Sequence, residues 1–319
     1  MMRALFINNY GSTDSIQLDN TSVNLPEITS HELLVKVHAC ALNPVDYKVC
    51  HGDLKDLLSV NFPYVFGIDV SGVITKLGAS VKNLSIGDEV FFANELALGG
   101  GCAEYCAVNA NLVAKKPDIL SHVEAAALPV IGLTVVQCLR DYANIKANDK
   151  ILIHAGAGGV GSLAIQYAKV QGAKVFTTAR KVNHQDLFEL GADHCIDYEK
   201  EDFVAVCESF GKMDIVLETV GGLNYPRSIL ACKSGGSVPC IINHPDLDTL
   251  NISQKNNVKT DFILMDCNSQ DLQEISNLII NYKIKPIINK VIDLNNTLEE
   301  LKKLESGKSK GKVVIEYFN

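Results

Sequence analysis

Three short stretches of this 319-residue chain carry side chains whose types and spacing could do chemistry. The first is Gly156-Ala157-Gly158-Gly159-Val160-Gly161, which follows the apolar run KILIHA and leads into GSLAIQYAKVQ, where apolar residues recur at helical spacing. A glycine turn between strand and helix lets backbone N–H groups approach a pyrophosphate, with the positive end of the helix dipole behind them. It predicts a dinucleotide site. The second, TTARKVN, ends the next apolar run: Arg180 lies nineteen residues after Gly161, Lys181 is beside it, and no acid appears before Asp186. A site for NAD places Asp or Glu there to accept from the ribose 2′-OH, whereas two cations suit a 2′-phosphate. NADPH is therefore the expected cofactor. The third, NPVDYKVCH at residues 43–51, offers Asn43, Asp46 and Lys48. Asn, Pro and Asp are ordinary turn residues, so this stretch reads locally as a polar turn or as a site.

The elements that position these residues follow two rhythms. The first third alternates apolar and polar positions (HELLVKVHACAL, VSGVITKLG, IGDEVFFA, AEYCAV), which predicts short strands separated by Gly or Asp turns. HVEAAALPVIGLTVVQCLRDY then reads as one long apolar helix. Beyond it, strands KILIHA, AKVFTTA, HCIDY, MDIVLET and SVPCII alternate with helical VNHQDLFEL, EDFVAVCESF and LNYPRSILA. That alternation predicts an α/β fold with a parallel sheet covered on both faces. TDFILMD, helical DLQEISNLIINY, KPIINKVIDL and KGKVVIEYF close the chain. Tyr142 and Lys146 have the spacing of a Tyr-x-x-x-Lys pair, but they lie in DYANIKANDK, a connection that reads as a turn.

Bulk properties exclude several function classes. The chain carries 37 acidic against 29 basic residues, which argues against nucleic acid or an anionic membrane as the main partner. MMRALFINNY lacks an apolar signal core, and no uncharged run is long enough to span a bilayer. The ten cysteines are scattered, mostly in apolar runs, as expected in a reducing cytosol. Cys102 and Cys106 form half of a metal-like motif that nothing completes, so no metal is expected.

FGIDVSGVITKLGASVKNLSIGDEVF, with its G-x-D-x-x-G-x-V-x-x-x-G run and the turn at Gly87, Asp88 and Val90, resembles the N-terminal signature of the medium-chain dehydrogenase/reductase superfamily. The order of β-rich region, dinucleotide region and returning β segment matches as well. The resemblance implies a GroES-like β-rich catalytic domain at 1–122, a Rossmann doubly wound parallel-sheet domain at 123–260 and a return segment at 261–319, with the active site in the cleft between domains. Zinc-dependent members carry Gly-His-Glu where this chain has Gly67-Ile68-Asp69, and a ligand Cys where it has Asn43. Their four-cysteine lobe has no counterpart between Phe91 and Tyr105. Isoleucine cannot bind a metal, so a zinc-free reaction is expected. Adding hydride to a conjugated system spreads the charge into an enolate or hydroquinone, which a few hydrogen-bond donors can stabilise without a Lewis acid.

Asn-Pro-x-Asp, LPVIGLT and GKVVI resemble the quinone oxidoreductase and alkenal/enone reductase branch. By that resemblance, Asn43 and Asp46 lie on the active-site loop, Thr134, Val220, Ile241 and Asn243 approach the cofactor, and Tyr198 sits near the adenosine phosphate. Members often use a Ser and a Lys for the 2′-phosphate where this chain has Ala179 and Asn183; Arg180 and Lys181 are the expected substitutes. The reading is an NADPH-dependent reductase of quinones or α,β-unsaturated carbonyls, with Lys48 or Asn43 donating to the carbonyl oxygen. Tyr47, Tyr64 and His51 are further candidates for moving protons. The alternative is a non-catalytic NADPH-binding protein with a regulatory or structural role. A cytoplasmic location is expected, and the resemblance implies a homodimer formed through edge strands of the Rossmann sheet.

Overall fold

The computed structural model describes residues 1–307 and 310–317. The chain divides into two compact units: Met1–Val130 with the segment from Cys267 onward, and Ile131–Asp266. In the first unit, β1 (Met2–Ile7), β2 (Gln17–Val23), β3 (Glu32–Ala41), β4 (Tyr64–Val65), β5 (Asp69–Leu77), β6 (Glu89–Ala93), β7 (Tyr105–Asn109) and β8 (Ala114–Lys115) are joined by turns. NPVDYKVCH is neither turn nor loop: Pro44–His51 form helix α1. Pro44 sits at the first helical position, where its missing N–H is not needed. The backbone N–H of Asn43 donates to Asp46 Oδ2 at 2.7 Å, and left-handed Gly52 (φ 78°) ends the helix.

The long helix predicted from HVEAAALPVIGLTVVQCLRDY is broken. It forms α2 (His122–Ala126), α3 (Pro129–Val136) and a wider helical turn at Gln137–Tyr142. Pro129 removes a donor and disfavours helical backbone at Leu128, which separates the first two pieces. Ala126 and Ala127 pack on Ala39, Ala41 and Val314 of the first unit, where small side chains let the helix lie close to the sheet. The boundary expected at residue 123 therefore falls at Ile131.

In the second unit, β9 (Lys150–Ile153), α4 (Gly159–Val170), β10 (Lys174–Ala179), α5 (His184–Glu189), β11 (His194–Asp197), α6 (Phe203–Ser209), β12 (Met213–Leu217), α7 (Asn224–Ala231), β13 (Cys232–Cys240), α8 (Leu247–Asn256) and β14 (Lys259–Phe262) alternate as expected. All pairings in its six-stranded sheet are parallel, in the order β11-β10-β9-β12-β13-β14. This is the 3-2-1-4-5-6 order of a doubly wound sheet, with its switch point between β9 and β12. Leu152, Phe176, Ile196, Val216 and Val238 are buried in a core cluster with Tyr225 and Ile229. Residues 261–266, expected to open the return segment, belong here because β14 is an edge strand of this sheet.

The tail adds α9 (Ser269–Tyr282), β15 (Ile288–Ile292), α10 (Thr297–Glu305) and β16 (Lys312–Glu316) to the first unit. β16 pairs antiparallel with β3, which extends the larger sheet to the order β15-β16-β3-β5-β6-β8, with β7 also on β3. β1, β2 and β4 form a separate three-stranded sheet.

Candidate active site

The cofactor residues named from sequence fall in the second unit, most of them just past the C-terminal ends of its parallel strands. The glycine turn follows β9, Arg180 and Lys181 follow β10, Tyr198 follows β11, Val220 follows β12, and Ile241 and Asn243 follow β13. Ligands of open α/β sheets bind at that edge, at the switch point. Thr134 is the exception: it lies buried within α3. The glycines are needed for space. A Cβ on Gly156 would come within 2.0 Å of Thr177 Oγ1, and one on Gly161 within 2.4 Å of the Ala155 carbonyl oxygen. Ala155 itself is left-handed (φ 48°), a strained state for a residue with a Cβ. Gly158 caps α4 from an extended conformation, and the first N–H groups of that twelve-residue helix have no helical carbonyl partners. A dinucleotide pyrophosphate fits this cradle.

Arg180 and Lys181 are exposed, and among the described residues neither forms an ion pair. No Asp or Glu follows them in sequence before Asp186, and the nearest strand-end acid is the buried Asp197, which pairs with Ala179 at the end of β11. Tyr198, Val220 and Asn243 are exposed as well, and Ile241 is half-buried.

In the first unit, Asn43 and Asp46 belong to a buried polar network that also contains two residues not singled out as site residues, Asp69 and Lys312. Lys312 Nζ donates to Asn43 Oδ1 at 2.5 Å and to Asp69 Oδ2 at 2.9 Å. Asn43 Nδ2 donates to Asp69 Oδ2 at 2.9 Å and to the Ala41 carbonyl at 3.3 Å. Asp69 Oδ1 accepts from Val130 N–H at 2.7 Å, near the start of α3. The network thus ties the entrance of α1, the starts of β5 and β16, and the N-terminus of α3. Both amide hydrogens of Asn43 are committed to internal acceptors, so the structure makes it a fixed tie instead of the open donor read from sequence. Burial pushes the Asp46 carboxyl up to about 7, with Lys312 opposing and Asp69 reinforcing the shift. Asp69 and Lys312 did stand in the motifs GIDVSG and GKVVI, but only as letters of a signature.

Lys48 is half-buried on α1, and among the described residues its Nζ has no partner. Tyr47 is half-buried with its ring 6.0 Å from that of His51, and His51 Nε2 lies 3.5 Å from Glu305 Oε1. Tyr64 is buried, donates to the Leu96 carbonyl at 2.8 Å, and has its phenol pKa raised by burial. Tyr142 and Lys146 make no catalytic pair: Lys259 Nζ lies 3.8 Å from the centre of the Tyr142 ring. A cavity of about 440 Å³ lined by His38, Glu89, Lys116 and His122 adjoins Ser71, whose Oγ is 2.8 Å from His122 Nδ1. Those residue types suggest a hydrolytic triad. Ser71, however, is fully buried and its hydroxyl also donates to the Val90 carbonyl at 2.9 Å, so no nucleophile is presented. Ile68 is buried, and among the described residues no group of three or more His, Cys, Asp or Glu could hold a metal ion.

A β-rich unit closed by its own C-terminal tail, together with a doubly wound dinucleotide-type sheet, defines the class as a two-domain oxidoreductase. Comparison with known proteins gives the family. Residues 29–118 match the alcohol dehydrogenase GroES-like domain and residues 190–315 the zinc-binding dehydrogenase domain. The chain is 37% identical to 2-methylene-furan-3-one reductase of Solanum lycopersicum over 98% of its own length and 79% of that protein's. It is 34% identical, with the same coverage, to the chloroplastic NADPH-dependent alkenal/one oxidoreductase of Arabidopsis thaliana. The quinone oxidoreductase of Coxiella burnetii superposes with a TM-score of 0.90 at 33% identity, covering 99% of both chains. The chain belongs to the medium-chain dehydrogenase/reductase family, with quinone oxidoreductases and alkenal/enone reductases as its relatives, and has the GroES-like and Rossmann-like domains of that family.

Proposed function

We propose that this protein is a zinc-free, NADPH-dependent reductase of quinones or α,β-unsaturated carbonyls. The observation that carries the cofactor half is the end of β10, where Arg180 and Lys181 are exposed and no acid follows in sequence before Asp186. Two cations there attract a 2′-phosphate and leave NADH without its usual acidic acceptor. When bound, the nicotinamide supplies hydride. The substrate half rests on Ile68 and Asn43, where zinc-dependent relatives carry ligands, and on relatives named for quinones, alkenals and an enone-type furanone.

In the second unit, the first N–H groups of α4 hold the pyrophosphate, and Gly156 and Gly161 admit it. In the first unit, Asp69, Lys312 and Asn43 fix the entrance of α1, and Lys48, whose ammonium has no partner among the described residues, is the donor that stabilises charge developing on the substrate oxygen. Asp46 caps the helix. The protein acts in the cytoplasm, on small molecules and not on nucleic acid or membrane, and works as a homodimer.

The test is NADPH consumption with a panel of quinones, 2-alkenals and cyclic enones, with Lys48→Met run in parallel. Turnover on at least one class is expected, with a lower kcat in the variant. Tight NADPH binding without turnover on any of them would leave a non-catalytic dinucleotide-binding protein in its place.

A further inference from the structure

We propose that Glu218 is a positioning residue for the dinucleotide, holding the turn after β12 and tying it to the glycine turn through Ser228 and His154. The inference rests on the cofactor reading above and adds residues that the glycine motif does not contain.

The observation is a buried relay of hydrogen bonds. Glu218 is fully buried immediately after β12. Its Oε1 accepts the backbone N–H groups of Val220 at 2.7 Å and Gly221 at 2.9 Å. Its Oε2 accepts from Asn224 Nδ2 at 2.9 Å and from Ser228 Oγ at 2.5 Å. Ser228 Oγ also lies 3.1 Å from the Asn224 carbonyl; with its proton on the shorter contact to the carboxylate, it accepts from His154 Nε2, which lies 3.0 Å away. His154 Nδ1 is then an acceptor, and Thr178 Oγ1 donates to it at 3.1 Å. Thr178 Oγ1 in turn accepts the N–H of Ala155, the strained residue that opens the glycine turn, at 3.1 Å. Burial lowers the His154 pKa, with the neighbouring Glu218 carboxylate opposing the shift.

The relay joins three segments at the sheet's switch point. Ala155 leads into the glycine turn, Thr178 is two residues before Arg180, and Val220 is a residue assigned to the cofactor. Gly221 extends the contact to the turn after β13: a Cβ there would lie 2.7 Å from Ile242 Cγ2 and 2.8 Å from Asn243 Oδ1. His154 Nε2 lies 3.9 Å from Glu218 Oε2, and among the described residues no lysine or arginine pairs with Glu218. A carboxylate buried without a counter-ion is costly, and an apolar residue of similar volume would serve packing alone at lower cost. What the carboxylate provides is directional: it fixes two successive backbone N–H groups and hence the path of the turn at the ligand edge.

NADPH affinity of the full chain would be measured by calorimetric titration for wild type, Glu218→Gln, Asn224→Ala and Ser253→Ala. Ser253 is the control, a buried hydroxyl of the same unit that donates to the Val258 carbonyl at 2.5 Å, outside the relay. Glu218→Gln puts an NH₂ against two donors and should raise the Kd roughly tenfold or more. Asn224→Ala, which removes one half-buried donor, should raise it about threefold, and the control should leave it unchanged. KM for NADPH should rise while KM for the quinone or enone stays constant. Glu218→Gln at wild-type affinity overturns the inference; if that variant does not fold, Asn224→Ala at wild-type affinity overturns it equally. Loss of affinity in Ser253→Ala matching that in the relay variants also overturns it, because general destabilisation would then explain both. Wild type without dinucleotide affinity removes the cofactor reading and this inference together, whereas tight binding by every variant removes this inference alone.

Discussion

The two units each bury carboxylates, but they neutralise them differently. In the first unit Asp69 meets the ammonium of Lys312 at 2.9 Å, a contact spanning 243 residues of sequence, and the same lysine reaches Asn43. In the second, Glu218 pairs with no lysine or arginine among the described residues and is held by two backbone N–H groups, an amide and a hydroxyl, with His154 Nε2 3.9 Å away. An ion pair closes the β-rich unit by tying its C-terminal strand β16 to β5, and a hydrogen bond from the same lysine to Asn43 adds the entrance of α1. Backbone donors lie within three residues of Glu218, close no loop, and set the direction of one turn. The comparison separates a clasp from a template: removing part of the clasp should unfold the unit, whereas removing part of the template should misplace a ligand.

The sharpest way to break this distinction is Lys312→Met. It leaves Asp69 buried without a counter-charge and should cost about 3–5 kcal/mol in denaturant unfolding. Adding Asp69→Asn should recover part of that loss, because the asparagine oxygen still accepts from Val130; no recovery would show that the pair is not what holds the network. Gly161→Ala tests the ligand edge of the other unit. Its Cβ meets the Ala155 carbonyl at 2.4 Å, so a cost of roughly 1–3 kcal/mol and a sharp loss of NADPH affinity are expected in thermal-shift and binding titrations.

Asp46 gives the clasp a pH dependence. Its carboxyl is raised from 3.8 to about 7 by burial. The folded chain therefore binds this proton more tightly than the unfolded one, and the stabilisation is complete below the unfolded value and lost as pH rises to about 7. Stability should fall across that window by no more than about 1.4 kcal/mol per pH unit. Asp46→Asn should flatten the slope in urea melts; an unchanged slope would assign it to another group. The smallest expected effect is Ala155→Gly, which relieves a left-handed alanine and should stabilise the second unit by about 1 kcal/mol, offset in part by the glycine's greater unfolded freedom. A loss of stability there would show that the Ala155 methyl is needed for packing.

The second unit was the more legible in sequence. Its strands are buried on both faces and read as bounded apolar runs, and the glycine turn announces its own geometry. The first unit hid more. NPVDYKVCH carries turn residues because Asn43 and Pro44 start a helix, and a helix start and a turn share that composition. The apolar stretch from His122 to Tyr142 reads as continuous because hydrophobicity does not register where Pro129 interrupts it. The polar partners were least accessible. Asp69, Lys312 and His154 act through contacts far apart in sequence, and nothing in the local pattern distinguishes a buried carboxylate such as Glu218 from a surface one.

The central claim, that NADPH is held at the end of β10 by Arg180 and Lys181, is tested most directly by titrating NADPH and NADH into wild type and into Arg180→Ala/Lys181→Ala. The account requires wild type to favour NADPH, and the double variant to lose about tenfold or more of NADPH affinity while NADH binding stays the same. An NADPH preference that survives in the double variant would contradict it.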